Sequence, residues 1–440
     1  MQVTIIGGGS YQWGPKLITD LLGTPSLEGL HVVLMDVDPA PLPKMATYLT
    51  KAADVLGVKA TVATTTDRKE ALDGADFVVV TISTGGFASM AVDLDVPAAY
   101  GIHQSVGDSV GPGGINRALR NIPVLTGIAH DMEQVCPDAW LLNITNPMTC
   151  LTRSVTRETS IKAVGLCHEI GNYCLDVAIA FKKRWEDVHA TFTGVNHFPV
   201  ITALDIAGED GMAMLAELAE MKIPKEPAEP YSQEDFVQRH QLSLSLLKRW
   251  GALPGAGDRH LAEFLPSILT EQSGWGADWG IELTPISVRE RHQAEYIVEV
   301  DDIIAGGKEM PTWASGEMVA PVIESLTNGT RRELPLNLPN AGQCPDLPAD
   351  AIVEAMCVVD GDGMRGRAPV SAPAAAAEVL RRHVATQELT VEAAVTGDRR
   401  LVHAALALDP LAGRADLRDI DAMAEQLLAG TARWLPQFAG

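Results

Sequence analysis

Three consecutive glycines close the first apolar run of this chain, and that turn constrains the N-terminal fold more than any other feature. Val3–Ile6 leads into Gly7-Gly8-Gly9-Ser10, and a helically spaced segment follows through Leu17 and Ile18. The order is strand, tight turn, helix N-terminus. Gly7 supplies a backbone angle that side chains disfavour, and Gly9 lets a pyrophosphate approach the main chain. The free N–H groups and positive end of the helix attract its charge. Position 12 is Gln, so the third glycine of the dinucleotide fingerprint is missing. The next apolar run, Leu30–Met35, ends in Asp36. A carboxylate there accepts the ribose hydroxyls of NAD and repels the phosphate of NADP. Gly7, Gly8, Gly9, Ser10 and Asp36 therefore form a candidate NAD cradle. The alternative is a glycine turn in an ordinary α/β protein.

The pattern continues. Apolar runs at Ala60–Ala63, Phe77–Ile82, Trp140–Ile144 and Ala163–Leu166 alternate with helical stretches, as in a parallel sheet covered on both faces. Polar residues cluster just past the run ends: Asp36, Thr84–Gly86, Asn146 and Cys167. Open α/β sheets bind ligands outside these carboxyl ends, which adds Thr84 to the cofactor contacts. The fold class expected is α/β, an N-terminal Rossmann-like parallel sheet over residues 1–170 and an α+β region over 171–440. In the second region, Ala190–Val195 and Ile201–Leu204 with a Gly208–Gly211 turn suggest a hairpin, and Ile223–Ser232 reads as a loop. Helices are expected over Glu234–Trp250 and Pro285–Val298, the latter capped by Thr284. Strands recur near Leu334–Leu338 and Ile352–Val359, and Ala372–Phe438 is helical, broken at Gly397 and Pro410.

Charge narrows the partners. With 57 acidic and 34 basic residues the formal net charge is −23, which disfavours nucleic acid and anionic membranes. No apolar run reaches the ~18 residues of a membrane span. Six cysteines without a CxxC pair, and a first strand with no basic segment ahead of it, lead us to expect reduced thiols in a cytoplasmic protein.

Four groups of residues carry candidate chemistry. Cys167-His168-Glu169 ends one strand, and Asn196-His197 ends another apolar run thirty residues on. A thiolate and an imidazole can share a divalent metal with positions open to substrate; a buried cysteine and a backbone-satisfied histidine are the bland alternative. Asn146, before Pro147, can donate to one oxygen and accept from a hydroxyl, or simply close a turn. Asp258, in Gly257-Asp258-Arg259-His260, is a candidate general base with Arg259 or His260 beside it, or part of a solvated turn. Gly107-Asp108-Ser109-Val110-Gly111-Pro112-Gly113-Gly114 reads as a flexible polar loop facing substrate, ahead of a helix from about Ile115 that carries Arg117 and Arg120.

Taken in order, Gly7-Gly8-Gly9-Ser10, Leu34-Met35-Asp36, Gly107-Asp108, Asn146-Pro147, Gly165-Leu166-Cys167-His168, Gly194-Val195-Asn196-His197 and Asn337-Leu338-Pro339-Asn340 resemble the NAD- and metal-dependent glycosidases of glycoside hydrolase family four, over roughly residues 1–360. The early fold is shared with lactate and malate dehydrogenases, but their Asp-x-x-Arg and lone catalytic histidine are missing. The resemblance implies oxidation of the sugar at C3, loss of the acidified C2 proton, elimination of the C1 leaving group, addition of water, and return of the hydride. It implies manganese on Cys167 and His197, sugar hydroxyls on Asn146 and Asn196, Asp258 as base, and His168 as leaving-group acid or substrate contact. Phospho-sugar members carry an arginine after the Gly-Gly that ends the fourth strand. Here Gly85-Gly86 is followed by Phe87-Ala88-Ser89-Met90, so an unphosphorylated α-hexoside or α-hexuronide is expected. Arg259 can grip a uronide carboxylate or form a structural ion pair. The family expectation for assembly is a homodimer or homotetramer. A plain NAD-dependent dehydrogenase of a hydroxy acid or polyol, and a non-catalytic NAD or sugar sensor, are the rival readings.

Overall fold

The structure is a computed structural model that describes residues 1–438 apart from 225 and 313. Its first six strands lie where the apolar runs predict them: β1 (Gln2–Ile6), β2 (Leu30–Met35), β3 (Ala60–Thr65), β4 (Phe77–Val80), β5 (Trp140–Asn143) and β6 (Lys162–Gly165). They are parallel, in the order β3-β2-β1-β4-β5-β6. β1, β2 and β4 are buried on both faces because helices cover both; the edge strand β3 carries only half-buried and exposed side chains.

The remaining strands are β7 (Val188–Val195), β8 (Phe198–Ile206), β9 (Glu209–Asp210), β10 (Leu253–Pro254), β11 (Arg332–Pro339), β12 (Ile352–Asp360) and β13 (Gly363–Gly366). Five of these extend the same sheet beyond β6 in the order β11-β12-β7-β8-β10, with β13 on β12 and β9 on β8, antiparallel throughout. The join is a single register position, Asn337 opposite Gly165. The sheet therefore runs on past residue 170, a position that falls inside the helix Glu169–Ala180.

Later segments also complete the layers of the parallel half. Helix Val319–Asn328 packs with Gly14–Leu22 and Leu42–Leu56 on one face. On the other face Ala374–Thr396, Arg399–Leu408 and Leu417–Gly430 cover Gly111–Val135 and Met148–Glu158. Gly397 ends the first of these three with φ +71°, as its place in the sequence predicts.

Three local expectations are corrected. The stretch 234–250 is two helices, Gln233–Arg239 and Gln241–Trp250, broken at His240, whose ring packs on Tyr173 and Phe236 and bonds Asp176. The later helix is Ile286–Ala305 with Pro285 at its cap position, because the Thr284 hydroxyl is taken by the Arg259 guanidinium. Gly111-Pro112-Gly113-Gly114 is the buried first turn of helix Gly111–Val135, where a Cβ on Gly113 or Gly114 would meet backbone within 3.0 Å. Close packing, rather than flexibility, is why glycines stand there.

Candidate active site

The carboxyl ends of β1, β2, β4, β5 and β6 face one crevice, and the glycine turn opens it. Gly7 has φ +91°, and a Cβ on it would lie 1.9 Å from the Thr81 carbonyl oxygen. Both the Gly7 and Gly8 N–H groups donate to the Met35 carbonyl at 2.9 Å, locking the turn to the end of β2. The Gly9 N–H donates to Asp36 Oδ2 at 3.1 Å, where a Cβ on Gly9 would lie 2.9 Å from that oxygen. Ser10 Oγ accepts from the Trp13 N–H at the entry to helix Gly14–Leu22. Thr84 is fixed from behind: its N–H donates to Asn121, and its carbonyl accepts from Arg120. Arg120 itself is buried in an ion pair with Asp93 and belongs to the scaffold. Bare backbone, a helix N-terminus and a carboxylate at the second strand end fit a dinucleotide.

The second half of the site is built on a hairpin. Val195 of β7 pairs with Phe198 of β8, so Asn196 and His197 are the two turn residues. His197 adopts φ +66°, a left-handed conformation uncommon outside glycine and concentrated at functional positions. Its Nδ1 lies 2.7 Å from Ser109 Oγ, and that hydroxyl donates to Asp108 Oδ1 at 2.7 Å. The hydroxyl has one proton, spent on Asp108, so His197 Nδ1–H is the donor and Nε2 keeps its free lone pair. The His260 ring lies against His197 with centroids 3.8 Å apart and the planes inclined at 36°. One donor atom each from Asp108, His197 and His260 lies within 4.8 Å of the others. Burial, reinforced by His260, pushes the His197 pKa down to about 3, so the ring is the neutral form that ligates metal. Burial works against the Asp108 anion, but His260, His197 and Arg117 outweigh it and hold the carboxyl below its ordinary range. Two imidazoles and a carboxylate are a donor set that suits a divalent transition metal.

Cys167 lies two residues past the end of β6, buried beside Asn196, Glu354 and Glu169. Burial and the two carboxyls push its thiol well above the usual range. A nearby divalent cation reverses that balance, as coordination deprotonates a thiol. The structure thus brings His197 into a three-residue donor cluster with Asp108 and His260, while Cys167 is a neighbour of the site outside that cluster.

Asp258 is held by backbone. Its Oδ2 accepts from the Leu242 N–H at 2.6 Å and its Oδ1 from the Ser243 N–H at 3.0 Å, capping helix Gln241–Trp250. Burial raises its pKa to about 6 against those hydrogen bonds. Both oxygens thus accept from backbone, in a carboxyl whose proton affinity burial brings close to neutrality. Arg259 is engaged as well. Its side chain donates to the Ser105 carbonyl at 3.2 Å and to the Thr284 hydroxyl, bracing two loops rather than presenting a free fork to a carboxylate.

His168 sits at the start of helix Glu169–Ala180, with Nδ1 3.0 Å from Glu317 and Nε2 3.8 Å from Glu169. Burial pulls its pKa down, but Glu317 and Glu169 outweigh that and raise it. Glu169 also accepts from the Gly257 N–H at 3.1 Å and reaches His260 at 4.0 Å, linking the two strand ends. Asn146 precedes a cis proline; its side chain accepts from the Met148 N–H, and its carbonyl accepts from Arg117 Nε at 3.0 Å.

Sequence reading left out the donor role of Asp108 and His260, and it left out Glu317 and Glu354 altogether. Glu354, with Asn337 opposite it and Asn196 beside it, is almost fully buried. No side-chain oxygen or nitrogen of the three has a hydrogen-bond partner among the described residues. Their signal was available: Asn337 and Glu354 interrupt the apolar stretches Leu334–Leu338 and Ile352–Val359.

The sequence profile described as "Family 4 glycosyl hydrolase" matches residues 2–179, and that of its C-terminal domain matches residues 192–412. The chain belongs to glycosyl hydrolase family 4. Among its relatives is an alpha-galacturonidase of Lachnoclostridium phytofermentans, 32% identical over 99% of this chain and 97% of the relative. An alpha-galactosidase of Bacillus subtilis is 31% identical over 99% of both chains. The solved lplD structure from Bacillus subtilis superposes with a TM-score of 0.89 at 31% identity, covering 97% of this chain and 99% of that one. A Thermotoga maritima 6-phospho-beta glucosidase, solved with manganese, NAD+ and glucose-6-phosphate, shares the fold at TM-score 0.81 and 21% identity over 99% of both chains. The family 4 enzyme thus joins a dinucleotide-type cradle to a carboxylate–imidazole cluster in one crevice.

Proposed function

We propose that this family 4 enzyme is an NAD- and Mn²⁺-dependent α-glycosidase acting on an unphosphorylated hexoside or hexuronide. The observation that carries the reading is the link between cradle and cluster: Trp13, just after the glycine turn, lies with its ring 6.1 Å from that of His168, and the adjacent Glu169 reaches His260 of the Asp108, His197 and His260 cluster at 4.0 Å. When bound, NAD supplies a hydride acceptor for the sugar's C3 and the metal a Lewis acid for the adjacent oxygens.

The residues divide the work. Gly7, Gly8, Gly9 and Ser10 leave room for the pyrophosphate, Asp36 takes the ribose hydroxyls, and Thr84 flanks the cofactor at the end of β4. His197 offers Nε2 to the metal, with Asp108, His260 and the Cys167 thiolate as further donors. Asn146 and Asn196 orient sugar hydroxyls. The acceptor of the C2 proton is Asp258 or, with the Asp258 oxygens engaged by the Leu242 and Ser243 N–H groups, Glu169 beside the metal cluster. His168 delivers a proton to the leaving group. Phe87-Ala88-Ser89-Met90 after Gly85-Gly86 offers no cation to a 6-phosphate. The relatives named for galacturonides and galactosides favour those two sugars.

The test is hydrolysis of p-nitrophenyl α- and β-hexosides and hexuronides with NAD, Mn²⁺ and a thiol reductant, each omitted in turn. Release that needs both NAD and Mn²⁺, with no NADH building up, is expected. Stoichiometric NADH from free sugar or hydroxy acid, without glycoside cleavage, would make the protein a dehydrogenase.

A further inference from the structure

His168 is held from the side by a residue remote in sequence. Glu317 approaches from the loop before helix Val319–Asn328, and its Oε1 lies 3.0 Å from His168 Nδ1. Glu317 is 7% exposed, whereas the His168 side chain keeps 29% of its surface open. The loop bearing Glu317 is itself pinned: Ser315 gives its N–H to Asp20 Oδ1 at 2.7 Å and its hydroxyl to Oδ2 of the same buried side chain. Asp20 lies on helix Gly14–Leu22, the helix that follows the glycine turn. A rigid carboxylate on Nδ1 fixes both the tautomer and the ring direction of an imidazole.

We propose that Glu317 is the positioning residue for His168, aiming Nε2–H at the glycosidic oxygen. The inference rests on the reading of His168 as leaving-group acid. In that step the C1–O bond breaks with its electron pair passing to the oxygen, which takes the Nε2 proton and departs as a neutral alcohol. The imidazole is left neutral, with its Nδ1–H still on Glu317.

Leaving-group dependence separates this role from a structural one. p-Nitrophenol departs without a proton, whereas methanol needs one. Wild type, E317A, E317Q and H168A would be assayed on p-nitrophenyl and methyl α-D-galactopyranosides and α-D-galactopyranosiduronates, with NAD binding followed by fluorescence as a check of folding. E317A is expected to lose about 10²-fold in kcat on the methyl glycoside and less than about 5-fold on the p-nitrophenyl one. E317Q, whose amide oxygen still accepts from Nδ1–H, should recover most of the methyl glycoside rate. Equal losses on both substrates, or no loss, in E317A while H168A discriminates would overturn the role of Glu317 alone. An H168A enzyme that does not discriminate would remove the acid assignment of His168, and the positioning role with it.

Discussion

The two halves of the sheet build their share of the site in different ways. In the parallel half every cradle residue lies just past a strand end, and each strand is followed directly by its helix. The cradle is therefore local: Gly7 to Gly9 and Asp36 are joined by hydrogen bonds within a single β-α-β unit. The metal cluster is not local. It joins Asp108 of the parallel half, ahead of a buried helix start, to His197 on a hairpin turn and His260 on the short helix Asp258–Leu261. A parallel strand end points chemistry by topology alone, whereas a hairpin turn needs a special backbone angle and a supporting network to do so.

The sharpest way to break this comparison is to disable one half and read the other. His197→Ala should abolish measurable Mn²⁺ binding by calorimetry and lower glycosidase activity by about 10³-fold or more, while NAD affinity stays unchanged. A parallel loss of NAD binding would mean that the halves are not separable. Gly9→Ala is the converse: the Cβ would press on Pro41 and Asp36, and NAD affinity should fall by about tenfold or more with Mn²⁺ binding intact.

Asp258→Asn comes next. It leaves one acceptor where two backbone N–H groups now donate, so the melting temperature should drop, with about 1 kcal/mol of stability lost. Turnover within about threefold would make Glu169 the base, and a fall beyond about 10²-fold would make it Asp258. A last prediction, on stability alone, concerns His383, whose Nε2 meets the Phe264 carbonyl at 2.9 Å and ties helix Ala374–Thr396 to the antiparallel half. Burial lowers its pKa to about 4, so the folded protein holds it neutral while the unfolded chain takes up a proton near 6.5. The unfolded state binds more protons between those values, so stability should fall by up to about 3 kcal/mol as pH drops from 6.5 to 4. Thermal melts of His383→Gln should show a flatter profile over that window; an unchanged profile would assign the acid sensitivity to other groups.

The same contrast explains what could be read from the chain. Leu30–Met35 and most of the other parallel strands are largely apolar runs, and their ends name the residues that follow, so β1 to β6 and the glycine cradle were legible. The backbone partners of Asp258 were not legible, because the two N–H groups it caps belong to residues 242 and 243, sixteen and fifteen positions earlier. Gly111 to Gly114 misled because glycine marks close packing as well as flexibility. Glu317 lies 149 residues from His168, and no local pattern relates them. Asn337 and Glu354 were visible as polar breaks in apolar stretches, but only the register of β11 against β12 places them side by side.

The late helices carry a consequence for synthesis on the ribosome. Helix Gly111–Val135 emerges early, yet the segments that cover its outer face lie beyond residue 374. For more than two hundred residues of elongation the nascent parallel half presents an uncovered apolar surface. Chaperone engagement during translation should therefore be strongest in that interval and end once Leu417–Gly430 has cleared the exit tunnel.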